Sequence, residues 1–212
     1  MTIPKEIQDL VDQPVETLHV ELKEWIDLSD KVARAKTARH LAALANHGGG
    51  YLIVGIRDDR SLDESQHPGE LSRFSQDSIA GVIDRYLAPA FQCDVFFVVP
   101  TGGSKPCVVV RVPSHGSVPI CAKANGPNDE KDRPTGIRKG EHYIRVPGPK
   151  SVEIDSPELW LPLIRRCVMT DRQSLLESFG RVLNPVEAAP PPEPMSLKDW
   201  HDAVRKWYEE SA

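Results

Sequence analysis

The chain has 212 residues, of which 40% are hydrophobic and 27% charged, with a formal net charge of −5. Those values fit a globular body with a sizeable core, and they exclude fibrous, collagenous and wholly disordered classes. No apolar run approaches the roughly 20 residues a membrane helix needs, and the acidic balance argues against a sequence-independent DNA coater.

The charge is uneven. Residues 151–212 hold 7 Lys and Arg against 11 Asp and Glu, whereas residues 1–150 hold 19 against 20, leaving the front portion free to carry a local basic patch. The first residues, MTIPKEIQDLVDQ, lack the basic start and apolar block of a secretory signal. Cys93, Cys107, Cys121 and Cys167 stand far apart. Both features predict a cytoplasmic protein with reduced thiols.

In chain order, Ile3 to Val11 predicts a short helix. Leu18 to Trp25 alternates, with Val20 and Leu22 on one side and His19, Glu21 and Lys23 on the other, the period of a half-buried strand. Ser29 or Asp30 caps a helix running to about Asn46, with Val32, Ala35, Ala38, Leu41, Ala42 and Ala45 as its apolar stripe. The run NHGGG stops it. Tyr51 to Ile56 is continuously apolar and predicts a central strand buried on both faces. Arg57 to Phe74 reads as an exposed loop, and Ser75 to Leu87 as a second helix.

Cys93 to Val99 and Pro106 to Val112 flank a TGGS turn and predict a hairpin. Val118 to Lys123 and His142 to Val146 are further strands on either side of a polar loop. Ser156-Pro157-Glu158 combines a cap, a first-position proline and an early acid, the start of a helix extending towards Phe179. Five prolines fall within residues 185–194, and such a stretch favours an extended spacer of roughly 30 Å. Ser196 to Glu210 predicts a final amphipathic helix, with Leu197, Trp200, Val204 and Trp207 on one face. It has three candidate docking partners: its own domain, a second copy, or another protein.

The sharpest chemical cluster is acidic. Glu16, Glu21 and Asp58, with Asp59 beside it, fall where two elements meet, and Asp58 follows the end of the buried strand, where open α/β sheets favour ligands. Oxygen ligands of this kind suit Mg²⁺ or Mn²⁺, which can polarise a phosphodiester. Lys23 would offset charge building on the phosphate. The plainer alternative is three surface carboxylates on a chain that carries 31 acidic residues.

The glycines at 48–50 follow a helix and precede a strand. A phosphate cradle has the opposite order, so they read as a helix stop. Residues 123–150 carry a net charge of +3. There Lys123, Arg138 and Lys139 are candidates for a phosphate backbone, while Arg145 lies in the strand-like HYIRVPG and points towards a site. The cysteines and histidines show no zinc spacing, and there is no GxSxG elbow.

Three blocks, ETLHVELK (16–23), KTARHLAALANHGGGYLIVGIRDD (36–59) and HYIRVPG (142–148), occur in order, and Pro89 and Pro119 fall at compatible places. Together they resemble the Schlafen core, or AlbA-like, domain over about residues 14–170. The resemblance implies an α/β (α+β) fold, a mixed β-sheet flanked by helices, here with a C-terminal helical appendage. The expected organisation is a domain at 1–182, a linker at 183–195 and a helix at 196–212.

It also implies nucleic-acid binding, and in some relatives metal-dependent endoribonuclease activity on structured RNA such as tRNA. Glu16, Glu21 and Asp58 match the family's acidic positions, with a possible slip to Asp59. They would hold Mg or Mn, Lys23 would assist, and Lys123, Arg138, Lys139 and Arg145 would hold the strand. A single lobe implies a homodimer or an added partner. The alternative is a non-catalytic DNA-, RNA- or ATP-binding subunit, in a regulatory or antiphage-defence role, acting through a partner.

Overall fold

The alternating β1 (Val20–Lys23) runs parallel to β2 (Gly50–Val54), with Glu21 opposite Leu52 and Lys23 opposite Val54. Between them lies α2 (Lys31–His47), which makes a β–α–β unit. A computed structural model describes residues 3–183 and Lys206. The proline-rich stretch and the predicted terminal helix otherwise lie outside the described residues. The chain divides into two compact units, Met1–Asp171 and Arg172–Ala212.

In the first unit, α1 (Lys5–Asp12) precedes β1, and α3 (Gln76–Tyr86), capped by Ser75, leads directly into the two-residue β3 (Leu87–Ala88). The predicted hairpin forms from β4 (Asp94–Val98) and β5 (Cys107–Val112). The central sheet has the order β1-β2-β5-β4, with β1 and β2 parallel and the other pairs antiparallel. The expected mixed sheet with flanking helices is therefore present. As predicted, β2 is central and buried on both faces. Leu52 and Val54 join the core under α2 and α3, while Ile53 faces the core that includes Ile7 and Val11 of α1.

Outside this sheet, β3 pairs with β6 (Cys121–Ala122), and β7 (Tyr143–Val146) pairs with β8 (Lys150–Glu153). The β7–β8 hairpin adds a strand, Lys150–Glu153, that the sequence reading does not predict. Its turn is Pro147-Gly148-Pro149, whose composition hides a strand pair. The last helix of this unit belongs to α4 (Pro157–Leu183), which starts at the predicted proline. Of the second unit, Arg172–Leu183 is helical, and Leu175 and Leu176 are exposed.

The helix α2 departs from a simple amphipathic stripe. Thr37, His40 and Asn46 are buried along with its alanines, because α2 packs on the sheet, on α3 and on the β7–β8 hairpin at once. Small side chains permit that close approach on several sides. Asp30 caps it by accepting from the Ala33 amide at 2.8 Å. Gly48 ends it in the left-handed conformation at φ 108°, and the Gly49 amide reaches the Leu44 carbonyl at 2.9 Å, as the glycine-stop reading requires.

The polar loop between β6 and β7 is anchored on α2. Ile137 is buried, and Gly136 sits so close that a Cβ there would stand 2.9 Å from both the Ala35 Cβ and the Lys36 amide nitrogen. No helix among the described residues is long and apolar enough to cross a membrane.

Candidate functional site

The odd-numbered face of β1 is only partly open: Lys23 is half-buried and Glu21 is closed off. Because Val20 and Leu22 pack against the α1 side, pleating turns Glu21 and Lys23 towards α2. Glu21 is consequently 2% exposed. An isolated carboxylate cannot stay ionised there without partners, and three side chains supply them. Glu21 Oε2 is ion-paired with the Arg145 guanidinium from β7. Its Oε1 lies 2.6 Å from Lys23 Nζ and 3.2 Å from His40 Nδ1 of α2.

Arg145 is fully enclosed. It donates to the Thr17 carbonyl at 2.8 Å, to the Val20 carbonyl at 3.3 Å and to Ser151 Oγ at 3.3 Å, and approaches Glu16 at 3.8 Å. One guanidinium thus ties β7 to β1 and to the segment before it, a use that suits its fixed fork of donors. The resemblance gave Arg145 a place on the nucleic-acid strand, but in this fold it has no open face for a phosphate.

Burial and charge shift these groups in consistent directions. Burial holds His40 far below its usual range, to about 3, helped by the cations Lys23, Arg39 and Lys36. The imidazole is neutral at pH 7, so its contact with Glu21 is that of a neutral ring. Burial lowers Lys23 as well, opposed by Glu16 and Asp58 and reinforced by Arg39. Burial likewise lowers Arg145, with Glu16 opposing.

The predicted acids are therefore not equivalent. Glu21 is buried and neutralised, Glu16 is partly exposed beside Arg145, and Asp58 is exposed. Asp58 and Glu16 act on Lys23 through charge, whereas Asp59 is spent on a turn, accepting from the Ser61 amide at 2.9 Å. Among the described residues, no three His, Cys, Asp or Glu side chains are grouped so that they could hold a metal ion. Mg²⁺ and Mn²⁺ need open carboxylate oxygens, but both oxygens of Glu21 already face cations. As arranged, this donor set does not fit a divalent ion.

Of the cations predicted for nucleic acid, Lys123 pairs with Asp84 at 3.4 Å and Arg138 is ion-paired with Glu153. Lys139 is exposed, and its amide is held by Asn125 Oδ1 at 2.8 Å. Sequence reasoning missed Lys36 and Arg39. No ion pair forms at either among the described residues, and the Arg39 Nε is buried without a hydrogen-bond partner. Their signal was present in KTARH: Lys36, Arg39 and His40 fall at helical spacing on one face of α2. With Lys23 they line a cavity of about 620 Å³. Arg39 also lines a smaller hollow of about 260 Å³ together with Arg138, Tyr143 and Ser151.

No curated protein matches the chain. Among solved structures, it is similar to the solution NMR structure of the N-terminal domain of an ATP-dependent DNA helicase RecG-related protein from Nitrosomonas europaea. The two are 24% identical with a TM-score of 0.39, over 62% of this chain and 90% of that one. The family model described as "Schlafen, AlbA_2" matches residues 16–152, from the first glutamate of ETLHVELK to the second strand of the β7–β8 hairpin. On that match, the chain belongs to the Schlafen, AlbA_2 family.

Proposed function

We propose that this chain is a nucleic-acid-binding module that holds a phosphate backbone on the cationic face of α2 without a metal-dependent step. The observation that carries this reading is the state of Glu21. It is enclosed by Arg145, Lys23 and His40, so it serves as the internal counter-charge that fixes Lys23 and β7. Among the described residues, Arg39 and Lys36 then add positive charge with no acid paired to them. A face of this kind neutralises phosphates and releases their counterions on binding.

Endoribonuclease action on a structured RNA such as tRNA is the competing reading. In its favour, the charges of Glu16 and Asp58 both act on Lys23. It requires Glu21 to give up its cations to a Mg²⁺ or Mn²⁺ ion. Incubating the full chain with labelled tRNA, in EDTA and in Mn²⁺, separates the two. We expect binding in EDTA and intact RNA in both conditions. Manganese-dependent cleavage that disappears in Glu21→Gln would replace our reading with the nuclease.

We also take the binding unit to be a homodimer, since one such face is short for a structured RNA, and the 196–210 segment to be a site for a protein partner. Light scattering that returns a monomer at binding concentrations removes the first of these. An unchanged partner profile after deletion of residues 196–212 removes the second. A regulatory or antiphage-defence role, acting through such a partner, is the setting this reading favours.

A further inference from the structure

The cavity beside α2 has two kinds of wall. Lys23, Lys36 and Arg39 supply cations, and Trp25, Ile26 and Val32 supply apolar surface. Its volume, about 620 Å³, lies within the roughly 300–1,000 Å³ typical of small-ligand sites. We propose that this cavity seats one nucleoside phosphate unit, the phosphate between Lys23, Lys36 and Arg39 and the base against Trp25 and Ile26. The proposal rests on the nucleic-acid reading for its source, which we take to be a nucleotide within a strand.

Three observations carry it. The first is the unused donor: among the described residues Arg39 forms no ion pair and its buried Nε has no hydrogen-bond partner, and a guanidinium edge matches phosphate geometry. The second is the aromatic wall. The Trp25 indole is fixed in place, because its Nε1 donates to the Asp63 carbonyl at 2.8 Å and its ring meets His67 and Phe74 edgewise at 4.9 and 6.0 Å. A ring held this way contacts a base with little loss of side-chain freedom.

The third is the fate of the acids. Asp27 and Asp30 also line the cavity. Asp30 is occupied as the cap of α2, however, and Asp27 accepts from Ser29 and pairs with Arg73 at 3.1 Å. Neither is paired with the three cations. The cavity therefore favours an anion with a planar body over a bare cation or a neutral apolar ligand.

The test titrates the full chain by calorimetry, in EDTA, with a 12-nucleotide RNA, with adenosine 5′-monophosphate and with adenosine. Lys36→Glu and Arg39→Gln are the variants, and since Lys36 is exposed the first keeps the fold. We expect RNA affinity to fall at least tenfold in each variant, the monophosphate to compete with RNA, and adenosine not to compete.

Unchanged RNA affinity in both variants, with no competition by the monophosphate, overturns the cavity assignment while leaving nucleic-acid binding intact. Monophosphate binding that Lys36→Glu abolishes, with no RNA binding by the unaltered chain, keeps the cavity as a free-nucleotide site and overturns the nucleic-acid reading. Binding of neither overturns both.

Discussion

Glu21 and Arg145 form a buried ion pair that crosses from β1 to β7. Such a pair is weak evidence of net stabilisation, because each charge loses its hydration on burial, but removing one partner strands the other. Arg145→Leu is therefore expected to destabilise the protein by about 3–5 kcal/mol. Adding Glu21→Leu should return part of that loss, since the double variant strands no charge. Urea denaturation of the four proteins in the cycle measures this, and additive losses would show that the two groups do not act as a pair.

His40 makes a second residue-scale prediction. Its folded pKa of about 3 lies below its ordinary 6.5. Between those values the unfolded chain binds the proton and the folded one does not, so stability falls as pH drops through that window. The slope attributable to this group is at most about 1.4 kcal/mol per pH unit. His47, held down to about 4 chiefly by burial, adds in the same direction. Denaturation midpoints collected from pH 7 to pH 4 should decline, and less steeply in His40→Asn. An equal decline in both would remove His40 from the account.

At the scale of elements, the loop 123–142 depends on closely packed glycines, Gly136 among them. Gly136 has φ 80° and lies against the Ala35–Lys36 backbone of α2. Gly136→Ala combines a left-handed strain with a close contact and should cost more than about 1 kcal/mol. It should also disturb Arg138, two residues on. Thermal melts check the first expectation, and an unchanged melting temperature would mean that the loop does not depend on this approach. Replacing the cap by Asp30→Ala should cost about 1 kcal/mol, a direct comparison for the Gly136 value.

Elements with a strong period were legible in the sequence. These were α1, β1, α2, the buried β2, α3, the β4–β5 hairpin, β7 and the proline start of α4. The two-residue β3 was not, because a pair that short has no period of its own, and of the strand predicted over Val118 to Lys123 only β6 forms. The destination of the polar face of β1 was also hidden. Alternation separates the two faces of a strand, but it does not say that the charged face will be roofed by a helix. That single ambiguity made Glu21 read as a ligand-bearing carboxylate, when the fold makes it the partner of Arg145, Lys23 and His40. Arg145 was legible as pointing into a site, but not as closing one. Lys36 and Arg39 went unweighted because the helix they stand on was read for its apolar stripe.

For the whole molecule, the net charge of −5 conceals a local excess of positive charge on the N-terminal half of α2. A strand that meets this face would displace ions roughly in proportion to the phosphates it contacts. The central claim, that the face holds a nucleic-acid backbone without a divalent ion, is tested most directly by the salt dependence of RNA affinity in EDTA. With three or four phosphates engaged, log K against log salt should fall with a slope of about −2 to −3 for a single strand, and Lys36→Glu should flatten that slope by about 1. Failure to bind at low salt in EDTA, or binding restored only by Mn²⁺, would contradict the account.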